Sequence, residues 1–187
     1  MKIYTKKGDN GDTSLLYGAA VSKDDIAPNA YGSVDELVAS LGLIRAESDL
    51  PTDTKTIILG IQRDLFLVGA ELATDKSERV KLSKGETLVT DEMIINLEKN
   101  IDNLTKKNGL PNFFVVPGEN TISAKLDWSR AVARRAERKC VTWYKILDMT
   151  DSKVLIYLNR LSDFFFVLAR AVSSDENIEE ISWEYEK

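Results

Sequence analysis

Apolar residues recur at alternating steps of three and four along most of this 187-residue chain, and that rhythm commits it to amphipathic helices. Val34, Leu37, Val38, Leu41 and Ile44 set the pattern. In front of them Ser33-Val-Asp-Glu36 has the form of a capping box, which predicts a helix opening there and closing at Pro51. Ile58, Ile61, Leu65, Val68 and Leu72 predict a second helix over about residues 54–73. Ile94, Leu97, Ile101 and Leu104 predict a third, ended near Gly109 and Pro111. A fourth runs from about residue 122 to 147, and a fifth from beyond Asp151 to about 173. Five such stripes predict an all-α fold, a five-helix bundle of near-antiparallel helices.

The remainder divides simply. Residues 1–30 contain Gly8, Gly11, Gly18 and Pro28 as breakers and read as an irregular loop, with a short extended piece at Lys2–Thr5. Residues 75–90 are charged and read as a long exposed loop. Phe113-Phe-Val-Val116 is too short for a helix and is stopped by Pro117-Gly118. The segment 174–187 is an acidic tail. No repeat or linker marks a second domain, so the expected organisation is one domain: an N-terminal loop over 1–30, a bundle over 31–173, then the tail.

Composition narrows the chemistry. A net charge of -5 argues against a general nucleic-acid binder. No apolar run is long enough to span a bilayer, and the polar residues after Met1-Lys2 predict no signal peptide. With one cysteine, Cys140, no intrachain disulfide or thiolate zinc site is available, in keeping with a reducing cytoplasm. The chain has no histidine, which removes the Ser-His-Asp triad, the Cys-His dyad and histidine-bearing metal sites together. Any chemistry must use arginine, lysine, carboxylate, hydroxyl and amide groups, or a co-substrate that is its own nucleophile.

Two helices carry a second face. At about 100° per residue, Leu126, Ala133, Ala136, Cys140, Tyr144 and Leu147 share the core side of the fourth helix. Arg130, Arg134, Glu137 and Arg138 lie together on a neighbouring side. A solvated charged face accounts for these residues. So does an anion site, because guanidinium forks match carboxylate and phosphate and the face holds arginine rather than lysine. In the fifth helix Leu158, Leu161, Phe165, Leu168 and Val172 form the core stripe, and Asn159, Asp163, Phe166 and Arg170 another. That second stripe suits a subunit interface or a ligand pocket at one. Asp35, just inside the predicted first helix, is either a capping carboxylate or a partner for an arginine of the fourth helix.

KKGDNGDTS near the N-terminus fits neither a Walker A loop nor a dinucleotide fingerprint. Gly8 and Gly11 free the backbone to form an anion nest, Thr5, Thr13 and Ser14 add hydroxyl donors, and Lys6 and Lys23 add charge. Asp9 and Asp12 would repel bare phosphate but suit magnesium beside phosphate oxygens.

TKKGDNGDTSLL, AYGSVDEL, FVVPG, SRAVARRAERKCV and LNRLSDFFFVLAR occur in that order, and with them the chain resembles the PduO-type ATP:cob(I)alamin adenosyltransferases over nearly its whole length. It departs from many members in having PGEN where they have a double glycine. The resemblance implies a trimer with active sites between subunits. It implies transfer of the 5'-deoxyadenosyl group of ATP to Co(I) of a corrinoid, giving adenosylcobalamin and tripolyphosphate. It also implies that Thr5, Lys6, Gly8, Asp9, Thr13, Ser14 and Lys23 hold the triphosphate of MgATP, and that Arg134, Glu137, Arg138 and Asn159 complete the nucleotide site. Asp35 and Arg130 would pair between subunits beside the corrinoid, with Phe114 beneath the cobalt and Phe166 assisting. Arg134, Arg130, Asp35 and Phe114 are thus the implied catalytic set. A flavin reductase and a cobalamin-dependent mutase or dehydratase are the implied protein partners. The alternative is a trimeric carrier or sensor that holds ATP or adenosylcobalamin without turnover.

Overall fold

The computed structural model describes residues 2–173; the acidic segment 174–187 lies outside the described residues. The architecture is mostly helical. A small antiparallel hairpin, β1 (Asp12–Ser14) and β2 (Ala20–Ser22), pairs Asp12 with Ser22, Thr13 with Val21 and Ser14 with Ala20. It is followed by α1 (Ile26–Arg45), α2 (Thr52–Leu72), a 3-10 helix (Lys76–Lys81), α3 (Asp91–Asn108), α4 (Thr121–Ile146) and α5 (Val154–Ala171). Helix α4 sits between α1 and α5, α2 flanks α1, and α3 flanks α5. Among the described residues no helix is long and apolar enough to cross a membrane.

The predicted stripes form the core. Leu37, Leu41, Ile44, Ile58, Leu65, Leu72, Leu126, Cys140, Leu158, Leu161 and Phe165 are fully buried. Tyr144, Leu147 and Val172 pack against this core half-buried. Burial on α5 is wider than one stripe, because the helix touches α4 on one side and α3 on the other; Tyr157, Phe164 and Val167 are buried as well. Where α1 and α4 approach, small side chains face each other and the Ser40 and Ser129 hydroxyls hydrogen-bond at 3.0 Å.

Three sequence expectations need correction. Helix α1 starts at Ile26, not at Ser33, so the boundary between N-terminal loop and helices falls before residue 31. Asp25 is the N-cap, and Pro28 sits buried in the first turn, where a missing N–H costs nothing. Ser33 is inside the helix and donates to the Asn29 carbonyl at 2.8 Å; it caps nothing, and Asp35 is mid-helix. Second, the N-terminal region is not wholly irregular and the fold not strictly all-α: the extended residues are Asp12–Ser14 and Ala20–Ser22, not Lys2–Thr5. Third, residues 75–90 are anchored. Glu71 is fully buried, accepts from the Val89 amide at 3.0 Å and pairs with Arg79 of the 3-10 helix at 3.1 Å.

Candidate functional site

The loop between α3 and α4 delivers Phe113 and Phe114 to the mouth of a cavity of about 670 Å³ that α4 and α5 close with Arg130, Phe166 and Arg170. Pro117 prevents the apolar run from continuing as regular structure. Phe114 keeps 75% of its surface exposed, an unusual position for a large apolar ring. Two cations lie over the Phe166 ring: the Arg130 guanidinium is 5.7 Å from its centroid and that of Arg170 5.5 Å. Behind this wall Arg170 forms ion pairs with Glu119 and Asp127. Burial pushes the Asp127 carboxyl up from its ordinary value; Arg170 opposes that shift, and Glu119 adds to it.

On α4, Arg130, Arg134 and Arg138 recur every four residues along one side of the helix, and none has a carboxylate within ion-pair distance among the described residues. Their neighbours differ. Arg135 pairs with Glu36 of α1, and Arg160 with Glu98 of α3 at 2.8 Å. Arg135 and Arg160 thus brace the fold through carboxylates, whereas Arg130, Arg134 and Arg138 have no such partner among the described residues. Glu137, half-buried on the same side, accepts from the Asn159 amide at 3.4 Å and so joins α4 to α5.

The N-terminal loop is shaped around Gly8. Lys23 Nζ donates to the Gly8 carbonyl at 2.6 Å, the Gly11 amide donates to that carbonyl at 3.2 Å, and the Lys23 amide donates to the Gly11 carbonyl at 2.8 Å. A Cβ on Gly8 would lie 3.0 Å from Lys23 Nζ and 3.1 Å from the Asp12 carbonyl, so a larger residue would press on this cradle. Gly11 takes φ +91, a conformation side chains disfavour. Thr5, Lys6, Asp9 and Ser14 are exposed and Thr13 half-buried. The hairpin is anchored by buried Leu15 and by the Leu16 amide, which donates to the Ala73 carbonyl at 2.8 Å.

The chain therefore brings Phe114, Phe166 and Arg130 to one cleft, Glu137 to Asn159, and Gly8 to Lys23. It does not bring Asp35 to Arg130: Asp35 is exposed on α1 beside a separate cavity of about 400 Å³ between α1 and α2, next to the exposed Phe66. Nor, among the described residues, does any hydrogen bond or ion pair join the N-terminal loop to Arg134, Glu137 or Arg138. The sequence reading missed Glu119 and Asp127. A signal was present: Arg170 falls on the Phe166 stripe of a helix with two packed sides, and a buried arginine requires carboxylates.

A family model described as cobalamin adenosyltransferase matches residues 3–172. A corrinoid adenosyltransferase of Citrobacter freundii is 39% identical over 169 residues, covering 90% of this chain and 93% of that protein. One of Bacillus subtilis is 36% identical over 187 residues, covering 98% and 93%. Among solved structures, a variant PduO-type ATP:corrinoid adenosyltransferase from Lactobacillus reuteri, complexed with cobalamin and ATP, matches with a TM-score of 0.81 at 31% identity, over 98% of this chain and 100% of that one.

Proposed function

The chain belongs to the cobalamin adenosyltransferase family, and on that premise we propose that it transfers the 5'-deoxyadenosyl group of ATP to Co(I) of a reduced corrinoid. The observation that carries the reading furthest is the exposed Phe114 ring over a cleft shared with Phe166 and Arg130, an aromatic floor that cannot ligate a metal. Cobalt(I) attacks C5' of the ribose, the carbon–oxygen bond breaks, and its electron pair leaves with tripolyphosphate. No proton has to be removed, so a chain without histidine is not disadvantaged.

Two tasks remain for the protein: to bring C5' to the cobalt, and to stabilise charge on the leaving group. We assign the second to Arg134 and Arg138, whose guanidinium groups have no carboxylate partner among the described residues, and to Lys6 with the Thr5, Thr13 and Ser14 hydroxyls. Glu137 and Asn159 hold the nucleoside end. Gly8 and Lys23 shape the loop. Magnesium is a hard cation suited to the oxygen donors here; Asp9 and Asp12 would hold it together with phosphate oxygens. When bound it neutralises charge on the triphosphate. No group of three ligating side chains is placed for a metal among the described residues.

The separation of Asp35 from Arg130, and of the loop from the arginine face, supports a homotrimer of five-helix bundles. Each site would then use the loop of one subunit and α4 of the next, with Asp35 and Arg130 paired across the interface. Phe114 and Phe166 would displace the lower ligand of cobalt(II) and ease its reduction. A flavin reductase upstream, a cobalamin-dependent mutase or dehydratase downstream and a cytoplasmic location complete the proposal. Phosphorus NMR of the reaction with MgATP and reduced cobalamin tests it: tripolyphosphate should accumulate in step with adenosylcobalamin. Release of ADP or pyrophosphate in its place would refute the transfer.

A further inference from the structure

Behind the aromatic floor lies a charge cluster that the reaction itself does not use. Arg170, 5% exposed, extends from α5 between Glu119 and Asp127. Glu119 belongs to the loop that carries Phe114. Its Oε1 is 3.0 Å from Arg170 Nη1, and its Oε2 accepts from Arg170 Nη2 at 3.2 Å and from the Ser123 hydroxyl at 2.9 Å. Asp127 brings α4 to the same guanidinium. The Cζ of that guanidinium lies over the Phe166 ring, 5.5 Å from its centroid. Loop, α4 and α5 therefore converge on one side chain.

We propose that Arg170 and Glu119 form a clamp that fixes the Phe114 loop relative to Phe166, and so act as positioning residues for the wall against which cobalt(II) loses its lower ligand. Between Leu110 and Gly118 no side chain hydrogen-bonds to a helix among the described residues. On this side the loop is tied by Glu119 and by the neighbouring Asn120, whose amide donates to the Val172 carbonyl at 2.9 Å. Stability alone is a poor reason for the cluster. Arg170 Nε is buried without a hydrogen-bond partner, and well-packed apolar residues often replace buried ion pairs at no loss. An apolar residue, however, cannot couple the loop to Phe166. A forked cation can, because its N–H groups take the carboxylate while its charge lies over the ring.

The clamp rests on the adenosyltransferase reading, and its test separates the two. Glu119→Gln removes the charge and keeps the size; Arg170→Lys keeps the charge and removes the fork. For each, ATP affinity, turnover with preformed cobalt(I), turnover when cobalt(II) is reduced on the protein, and the paramagnetic resonance spectrum of bound cobalt(II) with MgATP are measured. Glu119→Gln should hold ATP affinity and the cobalt(I) rate within about twofold, lose about 10- to 100-fold in the cobalt(II) route, and move the spectrum from four-coordinate towards five-coordinate cobalt. Arg170→Lys should show the same split. Unaltered cobalt(II) turnover and spectrum in Glu119→Gln, or parallel loss of both rates in both variants, would overturn the clamp. If the unaltered protein fails even with preformed cobalt(I), the function falls instead.

Discussion

Phe114, 75% exposed, forgoes most of the about 1.5–3 kcal/mol that full burial would contribute, so its use has to be sought outside the fold. Phe114→Ala should leave the thermal midpoint nearly unchanged and cut turnover from cobalt(II) by about 10- to 100-fold, with a smaller loss from preformed cobalt(I). Equal losses in the two assays would remove the ring from ligand displacement. Arg134→Ala, which breaks no ion pair among the described residues, should lower the rate by about 10²- to 10³-fold while circular dichroism stays the same. A near-normal rate would mean the triphosphate lies elsewhere. Cys140 is a different case: it is buried among core residues, and burial, with Glu137 nearby, pushes its thiol up to about 12. Folded protein should resist alkylation at neutral pH and react once unfolded; ready labelling of the folded form would contradict a purely structural thiol.

Elements repeat this division between what is local and what is not. The stripes of α2 to α5 were legible because helical period and burial coincide: Ile58 to Leu72, Leu126 to Cys140 and Leu158 to Leu168 point inward as their spacing requires. The start of α1 was not. Ser33 and Glu36 imitate a capping box, while Asp25 and Pro28, which form the real first turn, resemble a loop. The anchoring of residues 75–90 was hidden too, because Arg79 meets Glu71 through tertiary contact that no spacing encodes. That element yields a prediction. Arg79→Ala would leave Glu71 fully buried with only the Val89 amide, and should destabilise the protein by about 3 kcal/mol in chemical denaturation. A change within experimental error would show that the 3-10 helix contributes nothing to stability. The cleft was half legible for the same reason: Phe114, Phe166 and Arg130 carried sequence signals, whereas Glu119 and Asp127 became visible only once the loop, α4 and α5 met at Arg170.

In the molecule as a whole, no hydrogen bond or ion pair among the described residues joins the N-terminal loop to the arginine face of α4, and the proposed trimer would bring the two together across subunits. If subunits share sites, Lys6→Ala and Arg134→Ala should each be inactive as separate preparations. Unfolded, mixed and refolded together, they should regain activity at about a quarter of sites by random assortment. No recovery would place both halves within one subunit. Absorption spectroscopy follows adenosyl transfer as it happens. The protein, MgATP and chemically reduced cobalamin are combined without oxygen and the corrinoid spectrum is followed. The account predicts loss of the cobalt(I) bands and growth of the light-sensitive adenosylcobalamin spectrum, dependent on ATP. A cobalt(I) spectrum that persists although ATP is bound would contradict it and leave a carrier in place of an enzyme.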